Sequence, residues 1–211
     1  VKLYEYFRSS ASYRLRIALN LKRVPHDSVH VHLLRNGGEQ HQPGYLAINP
    51  QGRVPSLVLD DGTALIQSPA ILEWLEETYP DPPLLPRDVL ARAHVRAMAA
   101  LIACDIHPLN NSSVLAYLKK TLSQPQEAVD AWYAHWITVG FMALEQMVAK
   151  PYCHGNDLTL ADVMLVPQVA NARRMKMDLE SFPRIVAIEQ ECLALPAFAD
   201  ARPEVHPEAG K

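Results

Sequence analysis

Four prolines in the seven residues PDPPLLP, from Pro80 to Pro86, split this chain. Proline has no backbone N–H and holds φ at about −65°, so such a run continues neither a helix nor a central strand. The two sides differ in period. Before the run, apolar residues alternate in short strand-like stretches; after it, only helical spacing remains. The sequence therefore predicts an α/β domain over residues 1–81, a linker over 82–87 and an all-helical domain over 88–211. With 211 residues, 49% of them hydrophobic, there is enough apolar material for one sizeable core or two smaller ones.

Residues 1–7 are rich in β-formers and end at the polar cluster Arg8-Ser9-Ser10. The following stretch, RSSASYRLRIALN, places Tyr13, Ile17 and Leu21 four residues apart with Arg14 and Arg16 between them, which predicts an amphipathic helix. SVHVHL, at 28–33, alternates with period 2 and predicts a second strand, giving a β-α-β unit with a right-handed crossover. RNGGEQHQPGY, at 35–45, reads as a loop. VPSLVLDDGTALIQS, at 54–68, reads as two strands joined by a tight turn at Asp61-Gly62. Ser68 is expected as the N-cap of the next helix, with Pro69 at its first position. The order is β-α-β-α-β-β-α. Pro55 cannot donate to a strand ladder, and a cis Val54-Pro55 bond at the mouth of the strand accommodates it.

Beyond the linker, helical patterns cover 88–106, 109–121, 126–148, 160–176 and 183–194. Thr159-Leu-Ala-Asp162 is a capping box with Asp in the role usually taken by Glu or Gln, a structural feature. The last residues, ARPEVHPEAGK, read as a loose tail.

Several function classes are disfavoured. The formal net charge is −3 and the 20 Lys and Arg are scattered, so neither nucleic acid nor an anionic membrane is an expected partner. Lys2, Glu5 and Arg8 interrupt the opening apolar stretch, and no later run approaches the ~18 apolar residues of a membrane span; a soluble protein is expected. Cys104, Cys153 and Cys192 show no C-x-x-C spacing, which argues against a disulfide framework or zinc site and for a reducing cytoplasm. His30-x-His32 puts two imidazoles on one strand face. No carboxylate or cysteine lies at a supporting spacing, so no metal is expected.

Ser9 and Ser10, at a strand-to-helix junction, admit two readings. A serine there caps the helix by accepting from an orphan backbone amide. The same geometry, a helix N-terminus with hydroxyl donors, also makes a site for an anion, including a thiolate. Ser68 repeats the ambiguity, with two ordinary caps and a proline turn as the plainer alternative. Paired with Val54-Pro55, it suggests a peptide-like ligand: the Val54 backbone pairing in strand fashion and Ser68 meeting a carboxylate.

A resemblance bears on the choice. The β-α-β-α-β-β-α half, RVPSL at 53–57 and the Gln67-Ser68 pair resemble the thioredoxin-like domain of soluble glutathione transferases, which precedes a helical domain. RSSASYRLRIALNLK is similar to the zeta-class signature, usually SSCxWRVRIAL. GGEQH, LAINPQGRVPSL, IQSPAILEWLEE, CDIHPLNN, NDLTLADVMLVPQV and NARRMKMDL extend the likeness to the bacterial maleylacetoacetate and maleylpyruvate isomerases over almost the whole chain. The resemblance implies glutathione as cofactor, with Ser9 holding its thiolate and Ser10 beside it. Gln40, Val54, Gln67 and Ser68 fall where the family grips the tripeptide. His107 and Asn111 match positions approaching glutathione or substrate from the helical domain, and Arg8 and Arg174 match positions for substrate carboxylates. On the residues alone, His107 also reads as a buried structural histidine and Arg174 as a solvated helix-end arginine.

The implied reaction is cis–trans isomerisation of a maleyl diacid: thiolate adds to the double bond, the resulting single bond rotates, and elimination returns the sulfur. A hydroxyl bonded to a charged partner contributes roughly 1.5 to 3 kcal/mol and a helix N-terminus roughly 0.3 to 1. At about 1.4 kcal/mol per pKa unit these lower a thiol near ~8.5 by roughly 1.5 to 3. The alternatives are a general glutathione transferase or dehalogenase, and a non-catalytic binding module. Ala11 stands where the zeta pattern usually has cysteine, which puts dehalogenase chemistry needing a protein thiol in doubt. The family is commonly homodimeric.

Overall fold

The first strand, β1 (Lys2–Glu5), places Leu3 and Glu5 on its buried face, so a carboxylate enters the core at the start of the chain. The computed structural model describes residues 1–209, which form two units: residues 1–83 with the chain from Ala194 onward, and Leu84–Leu193. In the first unit β1 is followed by α1 (Ser10–Leu21) and by β2 (Asp27–His30), which pairs with β1 in parallel, Leu3 opposite Ser28. The crossover is the β-α-β unit expected. β2 is shorter than the alternation implied. His32 leaves the strand: its Nδ1 accepts from the amides of Leu34 and Arg35, and its own amide donates to Glu39 at 2.6 Å.

The stretch at 35–45 is two tight turns and a four-residue helix, α2 (Pro43–Leu46). β3 (Ser56–Val58) and β4 (Ala64–Ile66) form the hairpin signalled by Asp61-Gly62, with Leu57 opposite Leu65. β3 runs antiparallel to β1, so the sheet order is β2-β1-β3-β4. The Val54-Pro55 peptide, at the mouth of β3, is cis, as expected. α3 (Ser68–Thr78) packs its Ile71, Leu72 and Leu75 face beside α1.

Arg14 and Arg16 depart from the amphipathic reading of α1. Both are buried, because polar partners wait inside. Arg16 pairs with Glu5 and donates to the carbonyls of Ala201 (2.8 Å) and Phe7 (3.1 Å). Lys22, at the end of α1, meets Glu76 at 2.7 Å and the carbonyls of Tyr79 and Pro82, tying down the chain as it leaves α3.

The second unit holds α4 (Val89–Ala100), a π-helical segment (Leu101–Ile106), α5 (Ser112–Lys120), α6 (Gln126–Met147), α7 (Leu160–Arg174) and α8 (Pro183–Leu193). α7 is its axis, buried without a break from Leu160 to Val169 and packed on α4, α8 and the π-helical segment. A helix apolar all round belongs at a core. The capping box starts it: Asp162 accepts from the amide (2.7 Å) and hydroxyl (2.9 Å) of Thr159 and from the Cys153 amide (2.7 Å). Arg173 pairs bidentately with Glu189 to join α7 to α8. Glu145 accepts from the amides of Arg184 and Ile185, capping α8 from α6.

Two expectations need correction. Leu84 and Leu85, placed in the linker, are buried, and the Leu84 carbonyl accepts from the Leu160 amide at 2.7 Å; they belong to the helical unit. Of residues 194–211, assigned to the helical domain and ending in a loose tail, residues 194–209 instead pack with the N-terminal unit. Within them lies α9 (Pro196–Ala199), whose Phe198 is buried. The Phe198 carbonyl accepts from Tyr13, the Ala197 carbonyl from Asn20 and the Ala201 carbonyl from Arg16, while His206 reaches Glu5 at 3.3 Å. The polar side chains of α1 hold this segment. Gly210 and Lys211 lie outside the described residues.

Candidate active site

The N-terminal candidates gather around the starts of α1 and α3. After β1 the chain turns at Phe7-Arg8, with the Ser9 amide donating to Tyr6 at 2.9 Å. Ser9 is the N-cap of α1: its backbone is extended and its Oγ accepts from the Ser12 amide at 3.2 Å. The capping role is therefore real, and it does not compete with the ionic one. An oxygen that accepts from an amide keeps its proton to donate, and at a helix N-terminus that proton favours an anion. Ser9 is half-buried and Ser10, the first residue of α1, is buried. Arg8 is exposed beside them, its guanidinium 5.1 Å from the centre of the Phe7 ring.

At α3 the cap is displaced by one residue. Gln67, not Ser68, is the N-cap, because Gln67 takes φ 69° and ψ 111°, outside the helix, while Ser68 is the first helical residue. The Gln67 side chain does not cap the helix; it donates to Gln51 Oε1 at 2.6 Å. Ser68 is 4% exposed, and its Oγ accepts from Nη1 of Arg14 at 3.2 Å. This bond links the second turn of α1 to the first residue of α3.

The Gln51–Gln67 contact brings in the loop that carries Val54. That loop is held from below: Tyr45 and Asn49 donate to the Arg53 carbonyl (2.6 and 2.8 Å), and both reach Ser56. Burial pushes the Tyr45 phenol up, consistent with a hydroxyl that stays protonated to donate. Gln40 approaches the same loop. A Cβ on Gly52, whose φ is 60°, would sit 3.0 Å from His41 Nδ1 and 3.2 Å from the Gln40 carbonyl, so the positive φ and the tight approach together favour glycine. Gln40 Oε1 is buried with no hydrogen-bond partner among the described residues, an acceptor suited to a ligand N–H.

The candidates of the helical unit form a second group. His107, half-buried, follows the π-helical segment and its amide donates to Ile102 at 2.9 Å. Asn111 is the N-cap of α5, its Oδ1 accepting from the amide and hydroxyl of Ser113. Trp132 on α6 donates to the Leu109 carbonyl at 2.7 Å, pinning the turn between them. Arg174, exposed at the end of α7, donates to Asn171 (3.1 Å) and to Tyr133 (3.4 Å). Arg174 and the 107–111 turn are thus anchored on neighbouring residues of one helix. Burial raises the Tyr133 phenol, and the adjacent Arg174 opposes that rise.

Arg14, Tyr45 and Asn49 were missed by sequence reasoning. Asn49-Pro50 registers only as a boundary, and a helical arginine flanked by apolar residues reads as solvent-facing. Sulfur has no place in the N-terminal group, where Ala11 is a buried methyl on α1 and all three cysteines lie in the other unit. Burial pushes the thiols of Cys153 and Cys192 up, away from reactivity.

Residues 8–78 match the family Glutathione S-transferase, N-terminal domain. The chain is 50% identical over 209 residues to the maleylacetoacetate isomerase of Pseudomonas aeruginosa, covering 99% of this chain and 98% of that protein. A holo structure of maleylpyruvate isomerase, described as a bacterial glutathione S-transferase of the zeta class, is 47% identical with a TM-score of 0.95, each chain covered in full. A maleylacetoacetate isomerase from Methylobacterium extorquens AM1, solved with malonate and glutathione bound, is 38% identical with a TM-score of 0.95, again with both chains covered in full. With two helix N-termini and a strand-mouth cis proline in the N-terminal unit and identity running from end to end, the chain belongs to the zeta class of the glutathione transferases.

Proposed function

We propose that this protein catalyses the glutathione-dependent cis–trans isomerisation of a maleyl diacid, maleylpyruvate or maleylacetoacetate, to its fumaryl isomer. The observation that carries the reading is half-identity, over essentially full length, to an isomerase of that name, in a chain whose Ser9 keeps a proton to donate at the start of α1. The relative from M. extorquens holds glutathione with a small dicarboxylate, malonate, which supports a site for that pair of chemistries. The residues present fit glutathione. Gln40 offers an unpartnered acceptor, the start of α3 lacks a side-chain cap, and Ser68 sits there with an arginine behind it.

When bound, glutathione supplies a sulfur nucleophile that is regenerated in each turnover. In this reading Ser9 donates to the sulfur and, with the α1 N-terminus, keeps it ionised near neutral pH, with Ser10 beside it. Gln40, the Val54 backbone, Gln67 and Ser68 hold the tripeptide, and His107 and Asn111 approach it from the helical unit. Arg8 and Arg174 take the carboxylates of the diacid, which guanidinium groups bind bidentately, and offset negative charge that develops on the substrate. Ala11 leaves thiol chemistry to the ligand. We further assign the protein to the cytoplasm, in keeping with its three free cysteines, and to a homodimer, testable by light scattering.

The deciding experiment measures isomerisation of both diacids with and without glutathione. Rates that are equal without it refute the mechanism, and a stable conjugate or released halide in place of recovered glutathione selects the general transferase. Arg174→Ala should raise KM for the diacid more than for glutathione.

A further inference from the structure

Arg14 is 1% exposed, and its guanidinium stays charged wherever it is placed. It extends from the second turn of α1 to the first residue of α3, its Nη1 3.2 Å from Ser68 Oγ. Two consequences follow. A hydroxyl has one proton and two lone pairs. With one lone pair taken by the guanidinium N–H, the Ser68 proton turns away from that like-signed hydrogen, and Ser68 faces outward as a donor. The second consequence is electrostatic. The N-termini of α1 and α3 each carry a fraction of a positive charge, and the guanidinium of Arg14 brings a buried cationic donor up to the first residue of α3.

The start of α3 has the complementary need. Its N-cap, Gln67, turns its side chain to Gln51 instead of capping, so the first-turn amides have no side-chain acceptor of their own. An acceptor that satisfies amides, a hydroxyl donor and a nearby cation together is a carboxylate.

We infer that Arg14 is a positioning residue for the anionic end of glutathione. It orients the Ser68 hydroxyl as a donor and supplies a buried charge to the α-carboxylate of the γ-glutamyl group held at the start of α3. It acts through Ser68 without touching the ligand. The inference rests on the reading of Ser68 as the γ-glutamyl contact.

The test is a double-mutant cycle read by titration calorimetry on the full-length protein. The probes are glutathione and its analogue with the γ-glutamyl α-carboxylate replaced by a carboxamide. Ser68→Ala and Arg14→Gln should each weaken glutathione about tenfold, from the usual worth of a hydrogen bond to a charged group. The double variant should bind little worse than the weaker single, since both remove the same arrangement. The carboxamide should distinguish these proteins by less than about threefold, and KM for glutathione should rise while KM for the diacid holds. A purely structural Arg14 lowers stability without this ligand preference. Additive losses, or equal losses for both ligands, overturn the inference while leaving Ser68 in place; wild-type glutathione binding by Ser68→Ala overturns the underlying reading instead. Arg14→Lys, which keeps a buried cation, is the second variant if Arg14→Gln does not fold. It should retain most of the carboxylate preference, and a preference no greater than that of Ser68→Ala refutes the proposal.

Discussion

Replacing Glu5 by Gln should destabilise the N-terminal unit in a strongly pH-dependent way. Glu5 is 1% exposed and receives Arg16, the Ser28 hydroxyl at 2.6 Å and His206 at 3.3 Å. Burial by itself would raise its pKa; the bond to His206, the Arg16 charge and the Ser28 hydroxyl together outweigh it and bring the carboxyl from 4.5 to about 2. At about 1.4 kcal/mol per pKa unit, that gap is worth about 3 kcal/mol at pH 7. The sign follows from the direction. A carboxylate whose folded pKa is depressed stabilises fully above its unfolded value, and the contribution fades as pH falls from 4.5 through about 2. Urea unfolding should thus show Glu5→Gln less stable by about 3 kcal/mol at pH 7 but by only about half that at pH 3. Hydrogen exchange should show residues 194–209 losing protection first, because His206 and Arg16 hold them from the same carboxylate. A loss that is equal at both pH values, or a segment whose protection is unchanged, would refute the reasoning.

Ser9→Ala should cost about 1 kcal/mol of stability through the lost cap and move the rising limb of the pH–rate profile upward by roughly one to two pKa units; stability loss with an unmoved profile would return Ser9 to capping alone. Asp162→Asn should cost about 2 to 3 kcal/mol in thermal or urea unfolding, since an amide cannot accept from the Thr159 amide, the Thr159 hydroxyl and the Cys153 amide at once. Gly140→Ala puts a Cβ 2.2 Å from Cδ1 of Ile106, at the end of the π-helical segment. It should cost about 1 to 3 kcal/mol and be partly relieved by Ile106→Ala, whereas strictly additive losses would show that the two do not meet.

Legibility in the sequence followed the range of the cause. The Asp61-Gly62 hairpin, the helix over 126–147, the cis Val54-Pro55 bond and the Thr159–Asp162 box are set by residues within a few positions of one another, so pattern alone finds them. Ser9, Val54 and the Gln67-Ser68 pair were readable as candidates for the same reason. The cap at α3 moved by one residue because the backbone at Gln67 takes a positive φ that no simple capping rule anticipates for glutamine. The buried arginines were not readable. Charge patterning assigns them to water, whereas partners inside the fold, among them Glu5, Ser68 and the Ala201 carbonyl, draw them inward. The π-helical segment before His107 carries no sequence signal of its own; it coincides with the place where α6 narrows to Gly140.

The return of residues 194–209 to the N-terminal unit sets an order for biosynthesis. The helical unit is one uninterrupted stretch of chain, Leu84–Leu193, and can complete its core as soon as that stretch has emerged from the ribosome. The N-terminal unit is made first but stays unfinished: Arg16 and Tyr13 wait for the Ala201 and Phe198 carbonyls, and Glu5 waits for His206. The N-terminal unit is therefore the last to acquire its full set of contacts, and a chain that ends near residue 193 would carry a helical unit with all of its own residues beside a glutathione-binding one that lacks the partners of Arg16, Tyr13 and Glu5.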